Sequence, residues 1–145
     1  MLWRKMIRAM SGSLLHEEIN NPTAQLGREG EEAAYWYLRE RGFSMVERNY
    51  RPQDSRGEID LIGWEGETLV FIEVKTRGPD ALRQPEAVVD RNKERVLSTA
   101  AREYRRRAHR LGSPHRFDIV SVIASDDGMH IEHFRDAFRE GSRSE

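Results

Sequence analysis

The chain contains no cysteine. That excludes disulfides and thiolate metal sites and fits a reducing cytoplasm, the expected location. Lysine is almost as scarce: Lys5, Lys75 and Lys93 are the only ones among 24 basic residues, and the rest are arginine. Arginine keeps its proton in proteins, whereas lysine can lose it when its pKa falls, so Lys75 stands out. No apolar run nears the ~20 residues that span a bilayer, and no membrane partner is expected. The first ten residues carry charge too early and lack an apolar stretch, so they do not read as a secretory signal. There is no internal repeat and no low-complexity tract. With a formal net charge of −1, no whole-molecule field draws the chain to nucleic acid.

What is present reads as one domain. At 145 residues the chain is long enough to bury a real core. Charged residues make up 34% and hydrophobic ones 37%, but the apolar residues are grouped, as a globular domain with a solvated surface requires. Residues 1–22 read as a lead segment, 23–134 as the folded domain and 135–145 as a polar tail. Pro22-Thr23 opens a helix with Leu26, Ala33, Ala34, Tyr37 and Leu38 inward, and Gly42 ends it. Strands are expected at Phe43–Tyr50, Glu58–Trp64 and Thr68–Thr76, with a tight hairpin at Glu65-Gly66-Glu67. A long helix follows from Pro85, bending near Asp90 and closing at Gly112. Strands Arg116–Ile123 and Met129–Phe134 complete an αβββαβ(β) order. The fold class is therefore α/β, a mixed sheet flanked by helices.

Thr68-Leu69-Val70-Phe71-Ile72-Glu73-Val74-Lys75-Thr76 is the most informative stretch. It begins as a strand buried on both faces and then sets Glu73 and Lys75 on one face, because side chains alternate along a strand. Burying an ionised group costs several kcal/mol or more, so these charges have a reason to be there. Asp60, within Glu58-Ile59-Asp60-Leu61-Ile62, lies on the neighbouring strand. Two adjacent carboxylates repel unless protonated or bridged by a cation. Oxygen ligands select hard ions, so Mg²⁺ or Mn²⁺ is expected between Asp60 and Glu73, with the Val74 carbonyl as an added ligand. Lys75 would then hold or deprotonate the attacking water, or offset charge in the transition state.

The chain resembles the restriction-endonuclease-like PD-(D/E)xK nuclease superfamily through Asp60, Glu73-Val74-Lys75 and an acid on the first helix. Six segments are similar, in order, to the bacterial YraN-type family, described as endonuclease-like. They are Gly27-Arg28-Glu29-Gly30-Glu31, Asn49-Tyr50-Arg51, Gly57 to Ile62, Val70 to Arg77, Val89-Asp90 with Lys93, and Arg116 to Val120. The likeness covers roughly residues 24–134. It implies a Holliday-junction-resolvase-like core, with Glu31 as the outer acid, Asp60 and Glu73 as metal ligands and Lys75 as base or stabiliser.

Each residue also has a plainer reading. Glu73 and Lys75 form an ion pair if the strand is exposed, and Asp60 is a hydrogen-bond acceptor. Glu31 is one of three acids, with Glu29 and Glu32, on a solvated helix face, and Glu58 pairs with an arginine. Arg77, Lys93 and Arg116 contact phosphates, or pair with Asp90 and Asp118. Arg102, Arg105, Arg106, Arg107 and Arg110 form a basic run that is either a solvated face or a phosphate-binding one. His130 and His133, without further His or Cys nearby, read as surface residues. The expected function is a metal-dependent endonuclease acting on DNA, on branched or damaged structures. The alternatives are a non-catalytic module binding nucleic acid or protein, and an RNA-directed nuclease. A homodimer or a protein partner stays open.

Overall fold

A computed structural model describes residues 22–79 and 90–140. Helix α1 spans Pro22–Glu40, followed by β1 (Ser44–Tyr50), β2 (Ile59–Glu65), β3 (Thr68–Arg77), helix α2 (Arg91–Arg107), β4 (His115–Ser125) and β5 (Gly128–Phe138). The strands form one sheet in the order β1-β2-β3-β4-β5. The β3–β4 pair is parallel and the other pairs are antiparallel. Two parallel neighbours need a crossover, and α2 lies within it. This is the mixed α/β sheet the element order implied.

The core has two layers because the sheet is apolar on both faces. Ala34 and Leu38 of α1, with Phe43, pack on Leu61, Val70, Ile72, Val120 and Val122. On the opposite face Leu97, Ala100 and Ala101 of α2 pack on Ile59, Ile62, Leu69, Phe71, Phe117 and Ile119. Leu69, Val70, Phe71 and Ile72 are all essentially fully buried, which makes β3 the central strand. Burying each such side chain contributes about 1.5–3 kcal/mol. Helix α1 lies close against β3 at Gly30, where an added Cβ would lie 1.9 Å from Thr76 Oγ1. Only glycine permits that approach, and it brings the next residue, Glu31, to the end of β3.

Several boundaries differ from the sequence reading. Asp90 is extended (φ −70°, ψ 164°) and its side chain caps α2 by accepting from the Lys93 N–H at 2.9 Å. The feature read as a bend is therefore the N-terminus of the helix as described. The proposed start at Pro85 and the role of Val89 lie outside the described residues, as does nearly all of the lead segment. Gly112 does not close the helix: α2 ends at Arg107, His109 takes a left-handed φ of 57°, and the Arg110 N–H reaches the Arg105 carbonyl at 2.7 Å. A histidine occupies the conformation usually given to glycine, so the composition signal was absent. Strand β5 runs on past Phe134 to Phe138, whose ring stacks on Phe117 at 4.7 Å.

Candidate active site

The β2–β3 ladder ends at Leu61↔Ile72, one pair short of Asp60 and Glu73. There the Asp60 carboxylate, through Oδ2, accepts the Val74 N–H at 2.8 Å. A side chain thus replaces a backbone acceptor where the strands part, and the opening holds the acidic groups. Glu73 follows Leu69 and Phe71 in the two-residue alternation, so it and Lys75 share the α2 face. Lys93, in the first turn of α2, places Nζ 3.5 Å from Glu73 Oε1. Glu73 Oε2 is buried and has no hydrogen-bond partner.

Electrostatics set this cluster apart. Burial, with the Glu73 charge next, pushes the Asp60 carboxyl up to about 7. Burial also raises Glu73, against the opposing pull of Lys93. Glu31 rises to about 7 through burial and then the charges of Asp60 and Glu58. Lys75 is lowered by burial first and by the positive charge of Arg77 next, against the pull of Glu73. Three acids hold their protons more readily than usual here, because burial and their mutual repulsion disfavour the charged forms, while burial and Arg77 make Lys75 release its proton more readily than usual.

Asn49 had no role assigned from sequence. Its backbone is left-handed (φ 52°), a conformation asparagine tolerates better than most residues. With its amide nitrogen facing the acids, it donates to Glu58 Oε1 at 2.9 Å and Glu31 Oε2 at 3.1 Å. Arg51 Nε holds the second oxygen of Glu58 at 3.1 Å, so Glu58 has the arginine partner its plainer reading called for. The signal that could have found Asn49 was its place, a turn-forming residue late in a strand.

The remaining candidates separate. The structure brings together Glu31, Asp60, Glu73, Val74, Lys75 and Lys93, and Arg77 acts on Lys75 electrostatically. Arg116 does not join them. It sits opposite Val70, lower on β3, and donates to Asp118 at 2.9 and 3.1 Å and to Glu65 at 2.8 Å. Pairing, the alternative to phosphate contact, is what its geometry shows. His133 is not a surface residue: its ring Nε2 lies 2.7 Å from Asp118 Oδ2, and its side chain is 6% exposed. Asp118 is wholly buried and also accepts the Asp136 N–H at 2.9 Å. Much of the basic run is engaged internally. Arg106 and Arg107 pair with Asp54, Arg105 is buried against the Leu111 carbonyl, and Arg110 lies over Trp64. Glu32, a neighbour of Glu31, bonds Trp36 and Arg48.

Among the described residues no three His, Cys, Asp or Glu side chains form a ready-made metal cage. An ion held here would need ligands beyond the protein's side chains. That suits Mg²⁺, which keeps several waters and takes only one or two carboxylates. The unpartnered Glu73 oxygen and the raised carboxyls of Asp60 and Glu73 fit such a cation by charge and by ligand type.

A five-stranded mixed sheet between two helices is an α/β restriction-endonuclease-like core, and the acid–acid–lysine set lies at the opening between β2 and β3. Residues 30–122 match the model of the Uncharacterised protein family UPF0102, a span that includes Glu31, Asp60, Glu73 and Lys75. A UPF0102 protein of Solibacter usitatus is 49% identical over 112 residues, 77% of this chain and 84% of that one. One from Geotalea uraniireducens is 42% identical over 114 residues, 78% of this chain and 88% of its own. The chain belongs to the UPF0102 family, the YraN family of the restriction-endonuclease-like superfamily. Among the described residues no helix is long and apolar enough to cross a membrane.

Proposed function

We propose that this protein is a divalent-metal-dependent endonuclease that hydrolyses phosphodiester bonds in DNA, with branched or damaged structures as its expected substrates. The observation that carries the reading is the convergence of Asp60, Glu73 and Lys75 at the point where β2 leaves β3. Asp60 and Glu73 would hold Mg²⁺ or Mn²⁺, joined by the Val74 carbonyl. The bound ion would polarise a phosphoryl oxygen and lower the pKa of its water. Asp60 fixes β3 through the Val74 N–H, so the carboxylate and the Glu73–Lys75 backbone move as one unit. Lys75, with its pKa lowered, can accept a proton at Nζ or donate one to a developing oxyanion. Glu31, held by Asn49, supplies a further acceptor on the α1 side. Arg77 and Lys93 supply positive charge for the substrate phosphates.

One observation favours a second reading, a binding module that does not cut. Lys93 already pairs with Glu73 and supplies part of the charge that a metal would bring. Activity assays decide between the two. Purified protein is expected to cleave a branched, nicked or single-stranded DNA substrate with Mg²⁺ or Mn²⁺ and not with EDTA. Glu73→Ala and Lys75→Ala are expected to abolish cleavage, and cleavage that survives both would remove the site assignment. Calorimetric titration of Mn²⁺ into wild type and Asp60→Ala gives a readout independent of turnover, and equal heats would remove the metal.

A further inference from the structure

Helix α1 carries a second feature beyond Glu31. Trp36 is 40% exposed, and its indole N–H donates to Glu32 Oε1 at 2.8 Å, which sets the ring's orientation. The Tyr35 ring meets it edge-on at 5.4 Å. The Arg39 guanidinium lies 5.0 Å from the Trp36 centroid and 5.8 Å from that of Tyr35. Arg48, from the neighbouring strand β1, lies 4.3 Å from the Tyr35 centroid, and Arg41 lies 3.5 Å from that of Tyr37. Significant arginine–aromatic contacts arise roughly once in 70–80 residues, yet these four fall between Tyr35 and Arg48. Tyr35 follows Glu31 by one helical turn, about 6 Å along the axis, on the same side of α1. The patch therefore continues directly from the candidate site.

The chemistry selects an occupant. A guanidinium lying over a ring uses its flat face and leaves N–H edges for phosphate oxygens; one N–H group of Arg48 is held by Glu32, and a phosphate would share or displace that contact. A partly exposed indole offers a flat apolar face that an unpaired base can cover. Rings for bases interleaved with guanidiniums for phosphates are the parts of a single-strand-binding surface. Pairing of β1 with a second copy is disfavoured, because β1 has a bulge between Met45 and Glu47 and charged Glu47 and Arg48 along its edge.

We infer that Tyr35, Trp36, Arg39 and Arg48 receive unpaired nucleotides flanking the phosphodiester at the Asp60–Glu73 site, with a base stacked on Trp36 and phosphates on the two guanidiniums. This rests on the reading of that site as phosphodiester-directed. It gives the protein a structural preference, single-stranded stretches and junctions with open bases over continuous duplex, and no sequence preference.

Fluorescence anisotropy with the full chain in EDTA tests it, using oligothymidylate, an abasic oligomer of equal length and a duplex. Wild type is expected to bind oligothymidylate more tightly than the other two. Trp36→Ala should weaken oligothymidylate binding by about 5- to 150-fold, the worth of one stacked base, and leave the abasic oligomer unchanged. Trp36→Phe should restore most of the loss. Arg39→Gln and Arg48→Gln should weaken both single strands and each lower the salt slope by about 0.7. Equal binding of oligothymidylate and abasic oligomer by wild type would overturn the inference. So would full oligothymidylate affinity in Trp36→Ala, or a dimer that Trp36→Ala dissolves without any oligonucleotide preference. Cleavage by the same wild-type preparation separates the two readings. Trp36-dependent binding with no metal-dependent cleavage sinks only the catalytic one; metal-dependent cleavage with Trp36-independent binding sinks only the stacking surface.

Discussion

The Asp60 carboxylate accepts the Val74 N–H at 2.8 Å, so a candidate metal ligand on β2 is fastened to the backbone between Glu73 and Lys75 on β3. One side chain thereby has two duties, a structural one through an oxygen that bonds the strand and an electrostatic one through its charge. Substitutions separate them.

Asp60→Asn keeps an oxygen for the Val74 N–H and removes the charge. Metal-free, it is expected to unfold at a higher temperature than wild type at pH 8, because the repulsion with Glu73 is gone. It is also expected to lose the heat of Mn²⁺ binding. Asp60→Ala removes both functions and should cost about 1–3 kcal/mol of the stability of Asp60→Asn, by leaving a donor unmet. Thermal melts with calorimetry check both, and a destabilised Asp60→Asn at pH 8 would contradict the repulsion.

The raised carboxyls set a pH dependence. Asp60 and Glu31 titrate near 7 when folded and near their ordinary values of 3.8 and 4.5 when unfolded. Between these values the folded state binds more protons, so stability falls as pH rises. Their favourable contribution is complete below about pH 4 and is lost as pH rises through about 7. Metal-free protein should therefore grow more stable on acidification from pH 8 to pH 5. Saturating Mn²⁺ should oppose the trend by binding the ionised forms, adding about 2.7 kcal/mol at a hundred times its Kd. Denaturant midpoints at the two pH values, with Mn²⁺ and with EDTA, measure this. A profile insensitive to Mn²⁺ would count against the cation.

Asn49 links Glu31 to Glu58 from a left-handed backbone position. Asn49→Gly accepts that backbone and removes only the amide. It should keep near-wild-type stability while weakening Mn²⁺ binding about 10- to 100-fold, as loss of a group that orients ligands does. Asn49→Ala should show the same metal defect and an added loss of stability, since alanine is strained at positive φ. Unchanged Mn²⁺ affinity in Asn49→Gly would limit Asn49 to the backbone.

Asp118 predicts an opposite pH effect, away from the site. Burial alone would raise its carboxyl, but hydrogen bonds from His133, Arg116 and the Asp136 N–H hold it below the ordinary range. The stabilisation is present above the unfolded value near 3.8 and is lost as pH falls through the lower folded value. Asp118→Ala leaves Arg116 without its buried partner and should cost about 3–5 kcal/mol at pH 7, with a smaller stability loss on acidification than wild type shows. Urea unfolding at pH 7 and pH 3 reads both effects, and cleavage per folded molecule should stay at the wild-type level.

Glu73 and Lys75 on β3 and Arg116 and Asp118 on β4 share one sequence pattern, an acid and a base two residues apart in a buried strand. In sequence they differ little. In the structure, Asp118 accepts from three residues with both oxygens, whereas Glu73 keeps a buried oxygen without a partner. A filled hydrogen-bond shell marks a structural pair, and an unfilled one marks a place for a ligand. The same accounting moves Arg116 out of the functional set, turns His133 from an expected surface residue into a partner of Asp118, and adds Asn49, whose role requires α1 and β1 to meet.

The sequence by itself determined the order of elements along the chain, the face shared by Glu73 and Lys75 and the adjacency of Asp60. Alternation along a strand and a short hairpin are local geometry, which a few residues specify. Only the tertiary structure decided that β2 parts from β3 at Asp60, that Gly30 lets α1 carry Glu31 to that opening, and that Lys93 of α2 reaches Glu73 on the face they share. Burial and the distances between charges depend on segments remote in the chain, and these set which carboxylates keep their protons.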